Sequence, residues 1–280
     1  MGPAAAAARP ARRLRIPRRR ASAVIHPTAI IHPEAQVAET VRVGPYAVIG
    51  AQARLADFCV VGPHVVIEGE TTIGEGCMIY PNAVLGTPPQ DVKYAGEPTR
   101  LEIGARCTIR EGVTFHRGTV HGGGVTRVGD DGYFMANSHV GHDAQVGGGV
   151  IMANSAALAG HVTVGDGVGF GGLAGVHQFA RIGTLAFIGA GAMVRRDVCP
   201  FVVAKGDRAV QTNINRVGLE RRGFAPDRIR RIEEAYGYVV RIGVERGLEK
   251  LLALPDPDGD LAVIAAFIRA SKLGLSPFRE

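Results

Sequence analysis

The chain has 280 residues, a hydrophobic fraction of 46% and a formal net charge of +6. Seven arginines and no acidic residue fall in residues 1–20, so the remainder carries −1 (+6 less 7), which gives no support for nucleic-acid binding by the folded part. The sequence has no continuous apolar run of the ~18–20 residues that a membrane span needs, and its four cysteines form no C-x-x-C pair. This pattern predicts reduced thiols in a cytoplasmic protein without stable membrane insertion.

The first predicted segment is a tail of Ala, Arg and Pro over residues 1–24. It lacks the ~7–15-residue apolar core of a secretory signal. Its arginine content also fits an organelle transit peptide, although Ser22 is the one serine nearby. We interpret the segment as a disordered basic tail outside the fold, with a transit peptide as the alternative.

An apolar residue recurs at every sixth position from residue 25 onward, across two interruptions. The 26 positions are Ile25, Ile31, Val37, Val43, Ile49, Leu55, Val61, Ile67, Ile73, Ile79, Leu85, Ile103, Ile109, Phe115, Val128, Phe134, Val140, Val146, Met152, Leu158, Val164, Phe170, Val176, Ile182, Ile188 and Val194. A helix would spread these residues over all of its faces, because six is not a multiple of the helical period. A short strand followed by a corner fits the period, and three such units would close one triangular coil.

The sequence therefore predicts a mostly β fold, a parallel β-helix over residues 25–200. Residues 86–102 and 116–127 carry no repeat and are predicted to form two inserted loops, which in repeat folds often serve binding. Residues 201–280 are predicted to form a small α-helical domain. Pro226 suits the first turn of one helix, and a second apolar helix is expected over roughly 260–272.

Polar residues interrupt the second half of the repeat array at His139, His142, Asp143, His161, His177 and Gln178. Gly160 follows His142 by three repeats, which is one coil, and His161 follows Asp143 by the same interval. Gln178 lies a further coil after Gly160. We therefore predict that these residues stack along one edge of the prism, with His177 beside them and His139 nearly half a repeat away.

This stack contains the groups that acyl transfer requires. A neutral histidine such as His142 can act as a general base near neutral pH, and Asp143 could orient its ring. Gly160 could present a bare backbone N–H to an oxyanion. The same histidines could instead bind zinc, and the residues alone leave that alternative open.

The six-residue pattern resembles the hexapeptide-repeat family, which implies a left-handed coil. Seven further segments resemble the UDP-N-acetylglucosamine acyltransferases that begin lipid A synthesis: QDVKYAGEPTR (90–100), HRGT (116–119), GGG (122–124), NSHVGHD (137–143), LAGHV (158–162), VHQF (176–179) and GLERRGF (218–224). The likeness covers roughly residues 25–280. It implies transfer of a 3-hydroxyacyl group from acyl carrier protein to the 3-hydroxyl of UDP-N-acetylglucosamine by a homotrimer.

The resemblance also implies roles for individual residues. It assigns His142 as the general base, with Asp143 beside it, and Gly160 as the oxyanion donor. Sugar binding is implied for Gln90, Asp91, Lys93, His139 and His161, and His177 and Gln178 would line the acyl and sugar-phosphate groove. Asn215, Arg221 and Arg222 match positions that contact the nucleotide or the donor's phosphopantetheine arm. No metal or redox cofactor is implied.

Two positions depart from the family pattern. Val217 stands where many relatives carry a polar or acidic nucleotide contact, a contact that valine cannot make. Ala190 stands at the family's acyl-chain ruler, where its methyl group would shorten the accepted chain if it points into the groove. Neither the chain length nor a preference for a 3-hydroxyl over a 3-amino acceptor follows from the residues alone.

Three rival functions are weighed against this interpretation. The related N-acyltransferase of lipid A synthesis is expected to carry an N-terminal globular domain before its repeats. A trimeric zinc hydrolyase would use the histidines as metal ligands. An inert structural β-helix is expected to show a regular Thr- or Ser-rich face, and the irregular corners with His, Asp and Gln argue against it.

Overall fold

The computed structural model describes residues 24–279, and the predicted tail therefore lies almost wholly outside the described residues. The chain forms a left-handed parallel β-helix, as predicted, whose coils are triangular in section. Most strands are two residues long and pair with the strand one coil further on. Each of the three faces of the prism is thus a sheet that runs along its length, with parallel pairing between successive coils.

The three sheets are named by their order along the first coil. Face 1 comprises Val24–Ile25, Arg42–Val43, Val60–Val61, Met78–Ile79, Thr108–Ile109, Tyr133–Phe134, Ile151–Met152, Gly169–Phe170, Phe187–Ile188, Val202–Lys205 and Val210–Ile214. Face 2 comprises Ile30–Ile31, Val48–Ile49, Val66–Ile67, Val84–Thr87, Thr114–His116, His139–Val140, Ala157–Leu158, Gly175–Val176 and Met193–Val194. Face 3 comprises Gln36–Val37, Arg54–Leu55, Glu70–Ile73, Arg100–Ile103, Val125–Val128, Gln145–Val146, Thr163–Val164 and Arg181–Ile182.

The core is the column of apolar side chains at the repeat positions. From Val43 to Val194 every one of these side chains is buried, because the second residue of each short strand points into the prism. Ile25, Ile31 and Val37 are partly exposed, since they belong to the first coil of the described residues and no described coil covers them on that side. The period found in the sequence is therefore the packing period of the core.

The two insertions leave this register intact except at a bulge at Gly86, beyond which Thr87 pairs with His116. Where no insertion intervenes, strand pairing advances by one coil of three repeats, as from Val61 to Ile79. Pairing then joins Ile79 to Ile109 across the first insertion and Ile109 to Phe134 across the second. The first interval exceeds a regular coil by two repeats, and the second exceeds it by one repeat and a single additional residue. That additional residue accounts for the shift of the apolar period after Phe115.

Pairing extends further into the predicted loops than expected. Arg100–Ile103 and Val125–Val128 are four-residue strands paired in parallel with each other, although Arg100–Glu102 and Val125–Arg127 fall within the segments predicted as loops. The irregular part of each insertion is therefore shorter than the segment in which the sequence lacks the repeat.

Four helices follow the prism within the described residues: α1 (Arg216–Arg221), α2 (Pro226–Ile242), α3 (Val244–Leu252) and α4 (Asp260–Arg269). Pro226 opens α2, and α4 lies within the predicted range 260–272. The sequence interpretation did not include α3. No helix among residues 24–279 is long and apolar enough to cross a membrane.

The segment just after residue 200 differs from the prediction. Val202–Lys205 pairs in parallel with Phe187–Ile188 and antiparallel with Val210–Ile214, so strands continue to residue 214. These two strands cover the last coil of face 1, which would otherwise leave unpaired backbone groups. The division of the chain into domains at residue 200 stays a prediction.

Candidate active site

The polar residues singled out in the sequence lie at one edge of the prism, where face 2 turns into face 3. We call it the histidine edge, formed by corners 141–144, 159–162 and 177–180. The His161 N–H donates to the carbonyl of His142 at 2.9 Å, and the Phe179 N–H donates to that of Gly160 at 3.2 Å. Asp143, His161 and Phe179 all have positive φ, between 60° and 67°. The stacking predicted from the length of the coil is therefore confirmed.

Asp143 is the buried anchor of the edge. Its Oδ1 accepts from the Thr119 N–H at 2.8 Å, and its Oδ2 accepts from the Thr119 hydroxyl at 2.7 Å. The residue is 4% exposed, and Gly122 lies so close that a Cβ there would come within 2.1 Å of the carboxylate carbon. A buried carboxylate with this set of donors is held in one orientation.

That carboxylate orients the neighbouring imidazole. His142 Nδ1 lies 2.8 Å from Asp143 Oδ2, and the carboxylate is the acceptor. The proton of the neutral ring therefore sits on Nδ1, which leaves a lone pair on Nε2. The His142 side chain is 13% exposed, so this nitrogen lies in a partly desolvated site and is suited to accept a proton from a bound hydroxyl.

Gly160 provides both space and a hydrogen-bond donor. A Cβ at this position would lie 2.5 Å from Cε1 and Nε2 of His142, so the ring occupies the space of the missing side chain. No group among the described residues accepts a hydrogen bond from the Gly160 N–H. In two other corners the residue equivalent to Gly160 is a proline, Pro45 or Pro63, which has no N–H. The coil itself therefore does not need this donor.

The other histidines surround this pair. His161 packs edge-on against His142 with ring centroids 5.0 Å apart, and it stacks on Phe179 at 4.5 Å. His139 bonds to the Thr114 hydroxyl at 2.8 Å and packs edge-on against His116. Burial lowers the pKa of His139 and of His161, and it lowers the pKa of His116 to about 4. His116, His139 and His161 are therefore neutral near neutral pH.

The first insertion brings Asp91 to the same region. Asp91 Oδ2 lies 3.0 Å from Nε2 of His121, and Oδ1 accepts from the Lys93 N–H at 2.9 Å. The Lys93 N–H is the main cause that lowers the pKa of Asp91, and nearby His121 and His142 act in the same direction. The side chains of Gln90 and Lys93 are exposed on this loop, and His177 and Gln178 are exposed at the last corner of the edge.

Two other groups of predicted residues lie on different edges of the same prism. Asn215 caps α1 and donates to the carbonyl of Leu185 at 2.9 Å, while Arg222 reaches the carbonyl of Gly167 at 3.4 Å. These contacts belong to the corners where face 3 turns into face 1, which we call the arginine edge. Arg221 is exposed on the same helix, beside the exposed Val217.

Ala190 is exposed at the corner where face 1 turns into face 2, the third edge. Within one chain, the structure does not bring it or the arginine edge to the histidine edge.

Sequence reasoning assigned no role to several residues that build the site. Thr119 and His116 fall in the segment HRGT, which carried the family resemblance without a function for either. The length of one coil could have identified Phe179, since it follows His161 by that interval. His121 lies in an insertion without a repeat, so no periodic signal pointed to its contact with Asp91.

His142, Asp143 and His161 could hold a metal ion, because their donor atoms all lie within 4.8 Å of one another. Two imidazoles and a carboxylate suit zinc. However, both oxygens of Asp143 already accept hydrogen bonds, from Thr119 and His142. This arrangement fits a carboxylate that orients a general base.

Comparison with known proteins settles the family. The chain is 56% identical over 253 residues to the acyl-[acyl-carrier-protein]–UDP-N-acetylglucosamine O-acyltransferase of Alkalilimnicola ehrlichii, covering 90% of this chain and 98% of that protein. The chain belongs to this acyltransferase family. Residues 197–276 match the model of UDP-N-acetylglucosamine O-acyltransferase domain 2, and residues 53–87 match that of the bacterial transferase hexapeptide (six repeats).

Solved structures of this acyltransferase family share the fold. The enzyme from Moraxella catarrhalis superposes with a TM-score of 0.87 at 40% identity, covering 90% of this chain and 99% of that one. The enzyme from Campylobacter jejuni also gives 0.87, at 34% identity, and covers 91% of this chain and 100% of that one. The prism and the C-terminal helices are therefore both features of the family.

The close fit of His142 over Gly160 leads to a structural prediction. In Gly160→Ala the new methyl group displaces the imidazole, because overpacking at a tight contact forces a side chain to move. We expect a crystal structure of the variant to show the His142 Nδ1–Asp143 Oδ2 distance beyond hydrogen-bonding range. Gly50→Ala, on the same edge but several coils away, is the control, since its Cβ would lie 3.3 Å from the nearest atom. An unmoved His142 ring in Gly160→Ala would contradict the assignment.

Proposed function

We propose that this chain transfers a 3-hydroxyacyl group from acyl carrier protein to the 3-hydroxyl of UDP-N-acetylglucosamine, the first step of lipid A biosynthesis. The observation that carries the proposal is the His142–Asp143 pair with a free Gly160 N–H beside it, on the edge of a prism whose relatives are named for this reaction. The four buried free cysteines suit a reducing compartment, and we place the reaction in the cytoplasm.

The mechanism follows from the atoms of the histidine edge. His142 Nε2 removes the proton from the sugar 3-hydroxyl as its oxygen attacks the thioester carbonyl carbon. The carbonyl oxygen becomes an oxyanion, which accepts a hydrogen bond from the Gly160 N–H. When the carbonyl reforms, the carbon–sulfur bond breaks, and the phosphopantetheine thiolate takes the proton from His142. Asp143 stabilises the imidazolium between these steps.

Substrate contacts are proposed from the remaining residues. The ionised Asp91 accepts a hydrogen bond from a sugar hydroxyl. Gln90 and Lys93, on the same exposed loop, contact the sugar from the same side. His139 and His161 serve as neutral hydrogen-bonding partners, consistent with their lowered pKa values. His177 and Gln178 line the acyl groove beyond them, and the reaction needs no metal.

A homotrimer would bring the separate edges together. Face 1 directs Val60, Met78, Ile151 and Phe187 outward, and face 2 directs Val48, Val66, Val84 and Met193 outward. Face 3 instead carries charged outward residues, including Arg54, Glu102, Arg127 and Arg181. Two apolar faces that meet at one edge favour cyclic packing of face 1 on face 2 of the next copy.

This packing would place the histidine edge of one copy beside the arginine edge of the next, and the third edge nearest the axis. Asn215, Arg221 and Arg222 of one subunit would then bind the nucleotide or the phosphopantetheine arm at a neighbour's His142. An arginine near a diphosphate gains charge-assisted hydrogen bonds. Ala190 would lie at the inner end of the cleft, where the acyl chain ends.

The mechanism predicts the behaviour of His142→Ala. We expect the rate of acyl transfer, measured with a series of 3-hydroxyacyl carrier proteins, to fall by about 10²- to 10⁴-fold, because the general base is lost. Mass spectrometry should identify a 3-O-acyl product from the wild-type protein. His32→Ala, at an exposed corner of the same edge but several coils away from His142, is the control.

Full activity of His142→Ala would contradict the mechanism. Wild-type activity that is lost on chelation and restored by Zn²⁺ would favour the metal-dependent alternative instead.

The oligomeric proposal predicts that Phe187→Asp weakens the trimer, because the aspartate would be buried without a partner. Phe187 is 38% exposed on face 1. Sedimentation should show monomers at concentrations where the wild-type protein is a trimer. Thr163→Asp, outward on the polar face 3, should remain trimeric, and a wild-type monomer would overturn the proposal.

A further inference from the structure

The second insertion holds the first one in place. Arg117 donates to the carbonyl of Gly86 at 2.7 Å and to the hydroxyl of Tyr94 at 3.1 Å, which fixes the base and the middle of the first loop. His121 contacts the loop between these two points, at Asp91, with Nε2 and Oδ2 3.0 Å apart. A loop without its own repeat is thereby attached to the rigid prism through a neighbouring insertion.

A single short turn in the second insertion contacts both carboxylates of the site. Val120–Gly122 forms one 3₁₀ turn, capped by Thr119, whose hydroxyl accepts from the Gly122 N–H at 3.2 Å. Thr119 also donates twice to Asp143, which orients the general base. His121, two residues later, contacts Asp91. The turn therefore fixes Asp91 relative to Asp143, and through Asp143 relative to His142.

We propose that His121 is a positioning residue for sugar binding, acting through Asp91. The inference rests on the proposed function, in which Asp91 accepts from a sugar hydroxyl. His121 Nε2 donates to one carboxylate oxygen, and the Lys93 N–H donates to the other. Two donors from different segments fix the plane of the carboxylate, while each oxygen keeps a lone pair for the substrate. His121 itself need not touch the sugar.

The exposure of the pair determines where its effect should appear. The His121 side chain is 54% exposed and that of Asp91 is 15% exposed. A pair with one partner this exposed adds little to the stability of the free chain, since water competes for His121. Its contribution is expected when the sugar covers Asp91, because binding to a carboxylate already in position avoids the entropy of ordering it.

The test compares His121→Ala with His121→Gln, whose side-chain amide keeps a donor. We expect His121→Ala to raise the KM for UDP-N-acetylglucosamine about tenfold, with kcat within about twofold and the KM for acyl carrier protein unchanged. His121→Gln should recover most of the lost affinity. Val120→Ala, at an exposed position of the same turn, is the matched control. Thr119→Val should lower kcat instead, because it acts through Asp143.

A second measurement is independent of the enzymatic reaction. Hydrogen exchange of residues 88–99 in the free protein should be faster in His121→Ala than in wild type or His121→Gln. Faster exchange with no acyl transfer by the wild-type protein would refute the proposed function while leaving the loop contact intact. An unchanged KM, or equal loss of kcat in His121→Ala and His121→Gln, would overturn the inference.

Discussion

The backbone hydrogen bonds between successive coils are the constraint on which the rest of this structure depends. Each strand pairs with the strand one coil further on, so residues three repeats apart are held one strand spacing from each other. The apolar second residue of each strand must then fall on a buried column. Any polar group at a corner is aligned with the corner groups of its neighbours, whether or not it takes part in chemistry.

The histidine edge uses this alignment directly. His142 and Gly160 are consecutive members of one corner position, and Asp143, His161 and Phe179 are consecutive members of the next. His142, the proposed general base, therefore sits on a scaffold that cannot shift without breaking the coil. What the coil does not supply comes from the second insertion, where Thr119 holds Asp143 and His121 holds Asp91. Both insertions lengthen their coils, and beyond a bulge at Gly86 the strands keep their register.

The fold could be predicted because its packing repeats in the sequence. The same repeat placed Gly160 and His161 beside the His142–Asp143 pair. Contacts outside the repeat could not be derived in this way. The strands over 202–214 follow no six-residue period, and α3 is a short helix without a proline in its first turn like that of α2. His121 and Thr119 meet their partners only because two insertions pack against each other in space.

The arrangement of the three edges underlies the proposal that, in a trimer, one copy supplies the base and its neighbour supplies the arginine edge. The most direct test of this shared site uses mixed trimers of His142→Ala and Arg222→Ala chains. They are assembled from two preparations that are each expected to be inactive alone. Acyl transfer should return in the mixture, because some clefts would combine an intact His142 from one chain with an intact Arg222 from the other. A mixture that assembles as trimers but stays as inactive as its components would contradict a site shared between copies.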